Sequence, residues 1–281
     1  MEYRTFGKTN EKVSVIGMGT YYDISWIILS HLGIKRKYKK KIEAIRVGIE
    51  GGINFIDTAE IYNSEELIAK AIEGYKRENL FIASKVWPSH LKYDDVIKAC
   101  KRSLRRLNTK YIDLYQIHFP SRRIPIKETM KAMEDLVDMG LIRYIGLSNF
   151  NLQQMIEAQE AMKKYEIVSN QMPFSMANRK IEKDIIPYSI KNKIAIICYY
   201  PLGHGELIKR IPKEIVEKVR EKYGEKTPAQ IALNWIISKY ENTFPIPRAS
   251  NPVHVKENLN AIGWKMDDEI LNIVDKYFPL D

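Results

Sequence analysis

Leu80-Phe81-Ile82-Ala83-Ser84-Lys85-Val86 is a largely apolar run broken by one serine and one lysine. A segment of helical period, Asp94–Leu107, follows it, and then a second strand-like run, Ile112-Asp113-Leu114-Tyr115-Gln116-Ile117. Strand, helix, strand is the crossover that parallel strands require, since a tight turn can join only antiparallel ones. Working outward, the same alternation recurs. Strand-like runs lie at Ile16–Thr20 and Asn54–Asp57 before this stretch, and at Arg143–Leu147, Ile167–Gln171, Ile194–Tyr199 and Thr243–Ile246 after it. Helical patterns separate or follow them at Lys39–Gly51, Ser64–Tyr75, Ile126–Met139, Asn151–Lys163, Ile181–Lys191, Thr227–Lys239 and Pro252–Leu259.

These strand–helix units predict an α/β protein, a single (β/α)8 TIM barrel occupying residues 1–281. An open, doubly wound sheet is the structural alternative. Tyr3–Phe6 and Lys12–Val15, around turn residues Gly7 to Asn10, read as an N-terminal β-hairpin. Lys213–Tyr223 and Asp267–Tyr277 read as two extra helices. Ser64, Asn151 and Thr227-Pro228 carry helix-start chemistry, and Met139-Gly140 reads as a stop.

With 45% hydrophobic and 28% charged residues, the chain has the balance of a soluble globular protein. The net charge of +10 is partly concentrated in Lys35, Arg36, Lys37, Lys39, Lys40 and Lys41, read as a solvated helix entry. No nucleic-acid-binding motif accompanies it, so no nucleic-acid partner is expected. No apolar run approaches the roughly 18 residues of a membrane span, so no membrane partner is expected either. Met1 to Asn10 lacks an apolar signal region, and Cys100 and Cys198 suggest no disulfide framework. A cytoplasmic protein is the expectation.

In such barrels chemistry sits at the C-terminal ends of the strands. Asp57 and Lys85 lie at the ends of otherwise apolar strand runs, where buried opposite charges need each other. Tyr62 follows Asp57 in the loop at the same rim, and His118 directly follows the fourth run. A cation beside a phenol lowers its pKa, and a tuned phenol can protonate a carbonyl oxygen as it becomes an alkoxide. No side chain supplies hydride, so a reducing cofactor is implied. The five histidines show no metal-ligand spacing, and no metal is expected. Gly17-Met18-Gly19 lacks the third glycine of a Rossmann fingerprint.

Motifs in order along the chain resemble the aldo-keto reductase family. They are Asn54-Phe55-Ile56-Asp57-Thr58-Ala59-Glu60-Ile61-Tyr62, Ala83-Ser84-Lys85-Val86 and Tyr111 to His118, then Gly146-Leu147-Ser148-Asn149-Phe150, Tyr199 to Gly203, Ile246 to Ser250 and Glu257-Asn258. The resemblance implies a monomer that reduces small carbonyl compounds with NADPH. Asp57, Tyr62, Lys85 and His118 would be the catalytic tetrad, with Tyr62 the general acid. Ser148, Asn149 and Gln171 would hold the nicotinamide carboxamide, and Tyr199 would stack on the ring. Leu202, Arg248, His254, Glu257 and Asn258 would complete the cofactor site, with Arg248 on the 2′-phosphate. Trp87 and Phe119, beside Lys85 and His118, would line the substrate pocket with Tyr62 and His118.

The chain departs from the family pattern in places. Arg248 stands where many members have lysine, His254 where arginine is common, and Tyr200 where serine is usual. Asp23 to Ile34, with Trp26, Ile27, Ile28 and Leu29, does not resemble the usual loop and reads as a substrate wall or an apolar lid. A regulatory subunit that binds NADPH without meaningful turnover is the competing functional reading.

Overall fold

The computed structural model describes residues 1–280. A hairpin of β1 (Tyr3–Thr5) and β2 (Lys12–Ser14) opens the chain, followed by β3 (Met18–Gly19), α1 (Ile24–His31) and α2 (Tyr38–Glu50). The alternation then runs through β4 (Phe55–Asp57), α3 (Glu65–Ala71), β5 (Phe81–Val86), α4 (Tyr93–Leu107), β6 (Ile112–Ile117) and α5 (Ile126–Asp138). Next come β7 (Ile142–Ser148), α6 (Leu152–Glu160), β8 (Ile167–Pro173), α7 (Ile185–Lys191) and β9 (Ala195–Tyr199). The chain continues with α8 (Glu206–Arg210), α9 (Lys213–Tyr223), α10 (Pro228–Lys239), β10 (Thr243–Pro245), α11 (Pro252–Leu259) and α12 (Asp268–Tyr277).

Strands β3 to β10 form one 8-stranded parallel sheet in sequence order. Its two edges meet. Gly17 N–H donates to Pro245 O at 2.9 Å, Gly19 N–H to Pro247 O at 3.0 Å, and Ala249 N–H to Gly19 O at 2.9 Å. A Cβ on Gly19 would stand 2.7 Å from Ile246 O, so glycine is what lets the edges close. The sheet is a barrel, and the open-sheet alternative falls.

Side chains alternate in and out along each strand. The outward residues, such as Ile56, Ile82, Tyr115, Ile145 and Ile196, pack under the helices in the main core. The inward residues form a second core: Phe55, Phe81, Ala83, Leu114, Val168, Ala195, Ile197, Phe244 and Ile246. Phe6 of the hairpin joins it, with ring centroids 4.9 Å from Phe81 and 5.0 Å from Phe244. One step further along each strand, this apolar filling gives way to polar groups: Asp57, Lys85, Gln116, Ser148 and Gln171, all buried.

The two extra helices are present as α9 and α12, and α1 and α8 join them. Asn151 and Thr227 cap α6 and α10 through capping boxes, and Gly140 ends α5 at φ 68°. Ser64 differs from expectation. Its hydroxyl makes no cap bond but lies 2.9 Å from Thr20 Oγ and 3.0 Å from Thr58 Oγ, and α3 ends at Ala71, short of Tyr75. Lys41 is not solvated. It is 7% exposed, its Nζ donates to Arg36 O at 2.8 Å, and it lies over the rings of Tyr22 and Trp26. Trp235 is buried in the core, whereas Trp264 is half-buried in the segment between α11 and α12, beside Tyr223.

Candidate active site

The inward alternation of β4 and β5 delivers Asp57 and Lys85 to the same layer of the barrel. Both are buried, at 2% and 0% exposure, and Lys85 Nζ donates to Asp57 Oδ2 at 2.7 Å and to Thr58 O at 2.8 Å. Asp57 Oδ1 accepts from Gln171 Nε2 at 2.7 Å and from Gln116 Nε2 at 3.4 Å. A buried ion pair is tolerated when its remaining lone pairs are filled in this way. Burial pulls the Lys85 ammonium below its usual pKa, with Asp57 acting against that.

Tyr62 ends a short 3-10 turn, Glu60–Tyr62, and Asn63 reverses the chain after it at φ 54°. The phenol Oη lies 3.2 Å from His118 Nε2. Lys85 Nζ sits over the ring, 4.9 Å from its centroid. The expected lowering of the phenol pKa is not found. Burial raises it well above the usual value, and Asp57 adds to the rise. The reason is local: the ammonium bonds Asp57 and Thr58, so its charge is largely balanced before it reaches the phenol. His118 is 5% exposed, and burial, then Lys85, hold its pKa down at about 2. The imidazole is therefore neutral, and its Nδ1 has no protein partner among the described residues.

Trp87 stands edge-on to His118 at 5.1 Å, and Phe119 stacks on His118 at 5.0 Å. Trp87 is half-buried and Phe119 is 38% exposed, so both open onto the mouth. Glu60 holds this wall. Its carboxylate accepts from Trp87 N–H and His90 Nδ1 and lies 3.7 Å from Arg102 Nη2. Sequence reasoning missed Glu60 and Gln116. The signal for Gln116 was a polar residue at an inward position of β6, two before His118.

Ser148, Asn149 and Tyr199 form one network. Asn149, at φ 64°, donates to His118 O at 2.9 Å and to Ser148 Oγ at 3.0 Å, and its Oδ1 accepts from Tyr199 Oη at 2.7 Å. Gln171 belongs to the same layer, with its amide on Asp57. Leu202 packs half-buried against the main core. Arg248 follows β10, exposed, with Nη1 on Tyr22 O at 2.8 Å. Just beyond it α11 begins, capped by the Asn251 side chain on Val253 N–H. His254 is exposed, 3.5 Å from the Glu257 carboxylate, while Asn258 is buried at 6%. An exposed guanidinium just before a helix start suits a phosphate, and the amide–hydroxyl cluster suits a carboxamide. The residues present therefore fit a phosphorylated nicotinamide cofactor.

Cavities of about 500 Å³, lined by residues including Tyr3, Glu11 and Phe81, and about 340 Å³, lined by residues including Lys8 and Tyr144, open elsewhere. Neither is lined by a residue of the Asp57–Lys85–Tyr62–His118 cluster. The rim, by contrast, is where the buried titratable groups Asp57, Lys85 and His118 converge.

Comparison with known proteins gives a consistent result. The chain is 33% identical to methylglyoxal reductase YeaE of Escherichia coli over 94% of this chain and 90% of that protein. It is 30% identical to aldo-keto reductase YhdN of Bacillus subtilis, over 96% and 91%. An aldo-keto reductase from Klebsiella pneumoniae, solved in complex with NADPH, superposes with a TM-score of 0.87 at 31% identity, covering 100% of this chain and 96% of that one. The thermostable aldo-keto reductase Tm1743, solved with the inhibitor epalrestat, gives 0.85 at 36% identity over 99% and 100%. The family model described as "Aldo/keto reductase family" matches residues 16–278, and the chain belongs to that family.

Proposed function

We propose that this chain reduces aldehydes or ketones to alcohols with NADPH, and that Tyr62 is the proton donor. It is an NADP-dependent oxidoreductase by family. The observation that carries the residue-level reading is the convergence of Asp57, Lys85, Tyr62 and His118 on one rim, with Tyr62 Oη 3.2 Å from His118 Nε2. Bound NADPH supplies the hydride that no side chain can. Tyr62, held protonated by burial, donates its proton to the carbonyl oxygen. A neutral His118 carries Nε2–H toward that oxygen and orients it. Lys85, held by Asp57 and Thr58, lies over the Tyr62 ring and keeps the phenol in place beside His118. Ser148, Asn149 and Gln171 would hold the carboxamide and Tyr199 the ring face. Arg248 would meet the 2′-phosphate, with Leu202, His254, Glu257 and Asn258 beside it.

Trp87 and Phe119 make the substrate wall, and an aromatic wall suits aromatic and medium-chain aldehydes. The name of the Escherichia coli relative adds methylglyoxal to the compounds worth testing. A monomeric, cytoplasmic protein is part of the proposal, and both cysteines being free and buried agrees with a reducing compartment. The experiment is a carbonyl panel followed by loss of NADPH absorbance, with sedimentation velocity for the monomer. Tight NADPH binding with no turnover on any carbonyl would favour the regulatory-subunit reading instead.

A further inference from the structure

Helix α1 presents two different faces. Trp26 and Ser30 are its buried positions. Ile24 and Ile28, with Leu32 just past its end, are 66%, 57% and 71% exposed. At about 100° per residue, the stripe 24/28/32 points away from the stripe 26/30. The apolar stripe therefore faces solvent. Ile34 extends it at 52% exposure. Together these side chains expose on the order of a few hundred Å² of apolar surface, the size that marks an interaction site.

A cationic segment adjoins the stripe. Between Asp23 and Lys41 stand Lys35, Arg36, Lys37, Lys39, Lys40 and Lys41 against one carboxylate, Asp23. Lys35 pairs with Glu66 and Lys41 is buried. Arg36, Lys37, Lys39 and Lys40 are exposed and have no ion-pair partner among the described residues. The segment is also tied to the barrel mouth. Trp26 Nε1 donates to Tyr62 O at 3.1 Å, and Asn63 Nδ2 to Ser30 Oγ at 3.0 Å.

We propose that α1 and the basic turn after it dock this protein on an anionic lipid surface. The occupant must be apolar where it meets Ile24, Ile28, Leu32 and Ile34, and negative where it meets Arg36 to Lys40. A phosphate-bearing bilayer interface offers both in one plane, whereas a nucleic acid would leave the isoleucines in water. No helix is long and apolar enough to cross a membrane. The expectation of no membrane partner rested on spanning segments, and a helix lying among headgroups is a separate case.

The test is co-sedimentation of the full chain with vesicles of phosphatidylcholine alone or mixed equally with phosphatidylglycerol. It needs no substrate, so its outcome stands apart from the reductase assay. The expected result is binding to the mixed vesicles that is about tenfold or more tighter than to neutral ones and weakened by salt. Ile24→Ser/Ile28→Ser/Leu32→Ser and Lys37→Gln/Lys39→Gln/Lys40→Gln should each weaken it by about tenfold or more, with unchanged circular dichroism. Absence of binding to mixed vesicles, or equal binding by wild type and the serine variant, overturns the proposal. So does a wild-type dimer that the serine variant disperses, since the stripe would then belong to a second copy. Capture by an acidic peptide with no vesicle binding overturns it as well.

Discussion

Tyr62 Oη meets His118 Nε2 at 3.2 Å, while the Lys85 ammonium lies over the Tyr62 ring and bonds Asp57. The phenol is thus held in its protonated form, with a pKa raised by burial and by Asp57. Reduction needs that proton, so kcat/KM for reduction should stay level as pH rises and fall only above about 10. Alcohol oxidation needs the phenolate and should remain slow until the same range. His118, with its pKa at about 2, should add no limb near neutral pH. A pH–rate profile of the free enzyme checks this. A fall well below 10 would show that Lys85 tunes the phenol after all.

Tyr62→Phe keeps the ring against Tyr21, whose centroid lies 5.2 Å away, and removes only the proton. Turnover should drop by roughly a hundredfold or more, the scale for losing a positioned acid. NADPH affinity, read by fluorescence titration, should hold, because the residues proposed for the cofactor lie elsewhere. Full activity in this variant would remove Tyr62 from the mechanism.

Arg248→Ala should weaken NADPH binding by more than tenfold and leave NADH nearly unchanged, since a charge-assisted phosphate contact is lost only with the former. The same guanidinium holds Tyr22 O, so some loss of thermal stability is expected alongside. Equal losses for both cofactors would assign Arg248 to that structural bond alone.

Trp87→Ala should raise KM for bulky apolar aldehydes more than for small ones. Glu60→Gln, which weakens the hold on the Trp87 backbone and on His90, should do the same to a lesser degree. If Trp87→Ala changes only the melting temperature, the ring is packing and not pocket.

The barrel was legible because each strand carries its own period. In β4 and β5, Phe55 and Asp57, and Phe81, Ala83 and Lys85, lie two apart and point inward, so the polar rim could be read from spacing alone. The loops were not legible. Helix α1 was hidden because its apolar residues face water, which erases the core-facing signal that periodicity detects. Lys41 was misread because a charge run says nothing about which member turns inward, and here two aromatic rings take it. Ser64 looked like a cap, but its hydroxyl lies against those of Thr20 and Thr58. The direction of the Tyr62 shift depends on where Lys85 spends its hydrogen bonds, and no motif records that.

The ion pair of Asp57 and Lys85 can be separated from its catalytic use by a double-mutant cycle. Asp57→Asn strands a fully buried ammonium and should cost about 3–5 kcal/mol of stability. Lys85→Met strands a carboxylate that still has Gln171 Nε2 at 2.7 Å and Gln116 Nε2 at 3.4 Å, so its cost should be smaller. In the double variant neither charge remains, and urea unfolding should show a loss well below the sum of the two, by about 2–3 kcal/mol. Stability should thus largely return, while carbonyl reduction should not, because the ammonium that holds the Tyr62 ring in place is then gone. Additive losses would mean that the two groups do not depend on each other. Recovered reduction in the double variant would mean that the pair serves the fold and takes no part in the chemistry.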